Sequence, residues 1–174
     1  IDDYRTAGVP PGAVWPQSFN LADILYWIER EPEFGRQAVY LEDAESAAEL
    51  PAAAEFERLH AQGVRIWAPP LFALLALDDS GAIVPSPSAR AARAAGLELV
   101  TWSLERSGTL GAGRNGWYYQ TIDAALHRDS DVLHVLDVLR VVHLDDRAHP
   151  RRDRLDRQHG EDRAHVGLVG PVGR

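Results

Sequence analysis

The sequence predicts an α/β fold in which helices cover a parallel sheet, and three observations lead there. Short apolar runs bounded by turn residues alternate with helical apolar spacing at least three and a half times between residues 13 and 100. The 174 residues, 45% apolar and 25% charged, suffice for one domain with its own core. Four strands without a closing partner would leave an open edge, so the pattern is that of part of a closed barrel or of a larger doubly wound sheet.

Taken in order, Ile1 to Pro11 reads as the end of a helix that stops at Gly8, with Pro10 and Pro11 preventing its resumption. A first strand follows at Ala13 to Phe19. Asn20 then caps a helix whose apolar positions Leu21, Ile24, Leu25 and Ile28 fall at helical spacing, closed by Pro32 and Gly35. Gln37 to Leu41 is a second strand ending in Glu42 and Asp43. Pro51 suits the first turn of a helix with Ala54, Phe56 and Leu59 on its apolar face, stopped by Gly63.

Val64 to Trp67 is the third strand. Pro69 and Pro70 are expected to open a short apolar helix through Leu77, and the cluster Asp78 to Gly81 turns the chain. Ser86 or Ser88 caps the next helix, which Gly96 ends. The fourth strand begins at Leu97 and delivers Thr101, Trp102, Ser103, Leu104, Glu105 and Arg106 to a loop. In parallel folds ligands gather at the carboxyl ends of strands, so these residues are the first candidates for function. Trp117 to Leu126 and Val132 to Leu139 both have helical apolar spacing.

Beyond Leu139 the composition changes abruptly to Arg, Asp, His, Gly and Val, with no aromatic residue, serine or threonine. Such a segment cannot bury enough apolar area to offset its ordering entropy, and residues 140–174 are expected to form a disordered tail. All eighteen basic residues of the chain are arginine. The absence of lysine, with abundant alanine, glycine and proline, points to a GC-rich coding sequence and to a bacterial source. In such a sequence the abrupt change after about Arg140 is the expected mark of a shifted reading frame. The chain begins at Ile1 and contains no methionine, so a processed front or a fragment is expected.

Residues 1–139 hold ten arginines against twenty acids, and residues 140–174 hold eight arginines against six. An acidic body argues against nucleic acid as a partner. No apolar run approaches the ~20 residues that a membrane helix requires, so no membrane span is expected. With no cysteine, disulfides and thiol catalysis are excluded.

Four constellations are weighed for possible chemistry. Gly111, Gly113 and Gly116 fit the dinucleotide spacing G-x-G-x-x-G and follow a strand. Six residues separate Glu105 from Gly111, however, and no acidic residue follows in a second strand, so a loop over the sheet is the plainer reading. Six of the seven histidines lie after residue 126, but His143 and His149, like His159 and His165, are six apart and share no helical face, so no metal site is assigned. Glu42 and Asp43 sit at a strand's carboxyl end, either in catalysis or as a solvated loop pair. Of the aromatics, each of which by default packs a core, Trp102 lies nearest a polar strand end.

The run Val14-Trp15-Pro16-Gln17-Ser18-Phe19, the segment Thr101-Trp102-Ser103-Leu104-Glu105-Arg106-Ser107, the pair Tyr118-Tyr119 with Gln120, and Val135-Leu136-Asp137-Val138-Leu139 together resemble the C-terminal half of glycerophosphodiester phosphodiesterases. The resemblance covers Ile1 to about Leu139. It implies a (β/α)₈ TIM-type barrel, of which about four β/α units are present, without the first strands or the last. It also implies an enzyme of lipid and glycerol metabolism that hydrolyses glycerophosphodiesters to an alcohol and glycerol 3-phosphate. Members use a histidine pair for acid/base work and a divalent cation, calcium or magnesium, held by carboxylates.

The His-Arg-Gly segment, the metal-binding Glu-x-Asp and the second histidine of the family have no counterpart in this sequence. No catalytic or metal residue is therefore assigned, and the chain alone is expected to be inactive. The positions carried over as substrate-binding are Gln17, Phe19, Trp102 and Glu105, the last in place of an asparagine common in other branches. The resemblance favours a secreted or periplasmic protein with a small-molecule glycerophosphodiester as its partner. Two alternatives share the strands: a non-catalytic phosphate-binding barrel, and a nucleotide-binding α/β module.

Overall fold

The computed structural model describes residues 1–103, 116–127, 134–135 and 137–139, all within one unit, Ile1–His143. Glu105, Gly111, Gly113 and the segment 140–174 lie outside the described residues. The structure is a mixed α/β fold built on a four-stranded parallel sheet. Its strands are β1 (Gln17–Ser18), β2 (Val39–Leu41), β3 (Ile66–Ala68) and β6 (Glu98–Leu99), side by side in that order. A separate antiparallel pair, β4 (Leu75–Leu77) with β5 (Ile83–Pro85), occupies the connection between β3 and β6.

The helices form where caps and apolar spacing agree. After a short α1 (Asp2–Thr6), the side chain of Asn20 accepts the Ala22 N–H at the start of α2 (Leu21–Arg30). The helix α3 (Pro32–Gly35) follows at once, and α4 (Ala53–Ala61) and α5 (Pro87–Ala94) come later in the chain; residues 134–135 and 137–139 are also helical. Ser86 caps α5, accepting from Ala89 and donating to the Ala73 carbonyl. Gly96, at φ 89°, ends this helix in a left-handed conformation that other residues rarely adopt.

Strand side chains alternate between faces, as the pleat demands. Ala38, Trp67, Leu97 and Leu99 pack with Ile24 of α2, Phe56 and Leu59 of α4, and Ala89 and Ala92 of α5 in the main core. Val39, Ile66 and Ala68 form a second cluster with Leu41 and Trp102. The crossover helices therefore share one face of the sheet, and the opposite face is lined by short apolar side chains.

Three expectations about local structure are corrected. The expected helix from Pro69 to Leu77 is a single 3₁₀ turn at Leu71–Ala73 followed by strand β4. Its run of leucine and alanine fits either state, and the turn decides between them. Asp78 accepts the N–H groups of Ser80 and Ala82, and Gly81 adopts φ 81°, so the chain folds back and pairs Leu75–Leu77 with Ile83–Pro85.

The expected helix from Trp117 to Leu126 is two 3₁₀ turns, Trp117–Tyr119 and Asp123–Ala125. This segment buries Tyr119, Ile122 and Leu126, and Thr121 donates to the Phe72 carbonyl, so tertiary contacts take the place of a continuous helical ladder. The first strand is also shorter than expected. Pro10 and Pro11 set a 3₁₀ turn at Pro11–Ala13, and Pro16 has no N–H to extend the ladder.

Gly35 shows how closely α2 and α3 abut. A Cβ there would lie 2.2 Å from the Trp27 carbonyl oxygen and 2.6 Å from the Ile28 Cα. Because backbone cannot swing aside as a flexible side chain can, Gly35→Ala is expected to lower stability by about 1–3 kcal/mol. Urea denaturation checks this, and a variant as stable as the parent would refute the close approach.

Candidate functional site

The carboxyl ends of the parallel strands bring together Ser18 to Asn20, Glu42 to Glu45, Pro69 and Pro70, and Thr101 to Ser103. The end of β6 is stitched to that of β3. Pro70 and Trp102 form an isolated parallel bridge, the Leu71 N–H donates to the Trp102 carbonyl (2.9 Å), and the Thr101 hydroxyl donates to the Pro69 carbonyl (2.9 Å). The Trp102 indole N–H donates to the Ala68 carbonyl at 2.9 Å. The Trp102–Ser103 peptide is cis.

Trp102 is the hub of an aromatic wall. Its ring lies 5.9 Å from Phe19, edge to face, 5.9 Å from Tyr118 and 6.1 Å from Trp117. Trp117 in turn contacts Tyr118 and the buried Phe72, each at 5.0 Å. These separations suit favourable edge-to-face pairing. Phe19 is 50% exposed, and Trp102, Trp117 and Tyr118 are half-buried, so the wall presents a surface to solvent.

The contact between Phe19 and Trp102 is informative because β1 and β6 are the outer strands, with β2 and β3 between them. In a flat sheet, strand axes three steps apart lie roughly 14 Å from one another. The two rings close most of that distance across the face opposite the helices.

A second set of contacts hangs from β2. Glu42 is buried, 8% exposed, and its carboxylate accepts the Trp67 indole N–H (3.3 Å) and the Asp43 backbone N–H (3.1 Å). Burial pushes the Glu42 carboxyl above the ordinary range, opposed by these donors and by a backbone hydrogen bond from Ala44. Tyr40, on the helix-covered side with Trp67, is also shifted upward, by burial and by the charges of Glu42 and Asp43. Three residues on, the Glu45 carbonyl accepts from the Trp117 indole (2.8 Å) and from the Gln120 amide (3.1 Å). The loop after β2 thus anchors the aromatic wall on one side and the core on the other.

Of the residues expected from sequence, Phe19 and Trp102 are brought together. Gln17 lies in β1, exposed and in register with Val39, one row below Phe19 on the same face. Glu105 lies outside the described residues. Trp117 and Tyr118 are the wall residues that the helical reading of 117–126 obscured; the signal was the Trp-Tyr-Tyr run itself. Tyr119, its third member, is fully buried and belongs to the core.

Among the described residues no three His, Asp or Glu side chains are grouped to hold a metal ion. The Glu42 carboxylate accepts one hydrogen bond on each oxygen, from Trp67 and from the Asp43 backbone.

The chain matches no protein-family model and no solved structure. It is 42% identical over 143 residues to a protein of the fungus Arthroderma benhamiae named "Extracellular protein". The match covers 80% of this chain and 58% of that relative, so the chain spans somewhat over half of the relative's length. A fungal relative lends no support to the bacterial source expected from composition.

Proposed function

We propose that the chain contributes the pocket wall of a secreted glycerophosphodiester phosphodiesterase of barrel type, which hydrolyses a glycerophosphodiester to an alcohol and glycerol 3-phosphate. The observation that carries this reading is the meeting of Phe19 with Trp102 at the carboxyl edge of a parallel sheet. The two residues come from the two separate segments that most resemble the family. The sequential order of the strands, with their crossover helices on one face, supports that reading, since a (β/α)₈ barrel is built from such units. A doubly wound sheet reverses its order where the ligand binds, and among the described strands the order β1-β2-β3-β6 has no such reversal, which favours the barrel reading over the nucleotide-binding alternative.

The role of these residues is to orient substrate and exclude water. Hydrogen bonds from the Trp102 and Trp117 indoles fix both rings, so a bound substrate meets a preformed apolar surface. The metal, when bound in such an enzyme, neutralises phosphoryl oxygens, and the acid/base histidines belong to motifs that this sequence does not contain. Secretion is supported by the name of the fungal relative. No described helix is long and apolar enough to cross a membrane.

The test is release of glycerol 3-phosphate from glycerophosphocholine with added calcium, measured on this chain and on the longer Arthroderma benhamiae protein. The relative is expected to turn over the substrate and this chain alone to be inactive. Absence of metal-dependent release by the relative would leave the non-catalytic phosphate-binding barrel as the better account.

A further inference from the structure

The loop that follows β2 is held by carboxylates at both of its ends. Its first residues give their backbone N–H groups to Glu42: Asp43 donates at 3.1 Å, and Ala44 donates as well. The Glu45 N–H and the Ser46 hydroxyl donate instead to Glu49, at 3.0 and 3.1 Å. Three successive N–H groups therefore end on carboxylates, and the carbonyl of the third residue, Glu45, is the one that accepts from Trp117 and Gln120. Where that carbonyl points depends on both carboxylates.

The two ends differ in what surrounds them. Glu49 is exposed, whereas Glu42 is buried and takes donors on both oxygens, Asp43 on Oε1 and the Trp67 indole on Oε2. An ionised carboxylate only accepts, so it satisfies this arrangement, and each such hydrogen bond is roughly twice as strong as one between neutral groups. A protonated carboxyl must carry an O–H on one oxygen, where it meets a donor already in place. Either the Asp43 side or the Trp67 side then gives way.

Burial outweighs the donors and draws the proton on above the ordinary carboxyl range. The charged and titratable groups that face Glu42 are Asp43 on its own loop, whose like charge works in the same direction, Tyr40 on β2, and Glu55 with Arg58 on α4. Arg58 is paired with Glu55 at 2.9 Å, and β3 contributes the Trp67 indole, a donor that does not titrate.

We propose that Glu42 is a pH-responsive latch for the aromatic wall: ionised, it sets residues 43–45 so that the Glu45 carbonyl seats Trp117 and Gln120, and protonated, it gives up the loop and loosens that seat. Tyr119 stays in the core in both states, so what changes is the placement of the Trp117 ring against Trp102 and Tyr118, while the segment itself remains attached. The latch is independent of which substrate the wall receives.

The test follows the indole N–H resonances of the full chain in nitrogen–proton correlation spectra, one for each of its five tryptophans, assigned by replacing each in turn with phenylalanine. As the pH falls from neutral, the Trp67 and Trp117 resonances are expected to move with one shared midpoint, while those of Trp15 and Trp27 hold still. Near-ultraviolet circular dichroism is expected to change at that midpoint and the far-ultraviolet spectrum to stay constant. Glu42→Gln carries an N–H where the protonated carboxyl carries its O–H, so at neutral pH it is expected to show Trp117 already in its acid position and no shared titration. Asp43→Asn and Glu45→Gln are expected to keep the titration, the first with a lower midpoint because a like charge is gone.

A Trp117 resonance that holds still while Trp67 titrates would overturn the proposal. So would a shared titration that survives in Glu42→Gln, or a Trp117 resonance in that variant at the parent's neutral position. If acid unfolds the parent first, Glu42→Gln at neutral pH decides; if that variant does not fold, the parent's titration decides.

Discussion

Trp67→Ala is expected to lower the unfolding free energy by about 3–5 kcal/mol, the cost of deleting a large, fully buried aromatic side chain. Trp67 is 0% exposed and packs against Phe56 with ring centroids 4.7 Å apart. It is the point at which the central strand β3 meets α4, so the void cannot close without moving the sheet. Trp67→Phe separates packing from polarity. It keeps a ring against Phe56 but removes the N–H that Glu42 accepts, and its smaller cost, about 1–3 kcal/mol, is that of a buried acceptor short of one donor. Urea denaturation of both variants checks the pair. A Trp67→Ala protein within about 1 kcal/mol of the parent would contradict the burial described.

The second large effect is expected at Glu42, and it depends on pH. Glu42→Ala orphans the Trp67 indole N–H inside the core, at about 1–3 kcal/mol, and frees the Asp43 N–H as well. Glu42→Gln preserves size and one acceptor oxygen but cannot titrate. Burial raises the folded-state pKa of Glu42 above its unfolded value, so the native state holds this proton more tightly than the unfolded chain does.

Glu42's contribution to stability is therefore fully present below the unfolded carboxyl pKa and is lost as pH rises through the folded one. Measured against Glu42→Gln, the parent is expected to be at its best in acid, to lose ground from roughly pH 4.5 upward, and to level off once Glu42 is ionised in both states. A difference between the two proteins that does not vary with pH would show that Glu42 is not a buried, titrating carboxyl.

How much of this was legible in the residues follows from the range over which each signal acts. Asn20, Ser86 and Gly96 act within one turn of their helices, and each sits where its chemistry predicts. The parallel sheet was legible because its strands are punctuated by glycine and proline. The run Leu71 to Leu77 was misread because an unbroken apolar stretch has no period. Its state is set by Asp78 and Gly81 downstream, through a turn whose partner strand is reached only at Ile83.

The candidate site divides in the same way. Trp102 is conspicuous in sequence, at the polar end of a strand. That its partner is Phe19, on the far side of the sheet, depends on strand order and curvature, which no local pattern records. Glu42 was visible as a carboxylate at a strand end. Its orientation toward Trp67 and the helices, away from the wall, follows from strand alternation counted along β2 in the folded sheet.

The double anchor on the Glu45 carbonyl has a temporal consequence. Trp117 and Gln120 reach it across 72 and 75 residues. Closing a loop of that length costs several kcal/mol of chain entropy before either hydrogen bond is made, whereas α2, α4 and α5 need only local closure. The expected order is therefore helices first and wall later, which amide hydrogen exchange pulsed during refolding would check. Tyr119, fully buried between Trp117 and Gln120, ties the same segment to the core, so the wall is held by packing as well as by the Glu45 contacts.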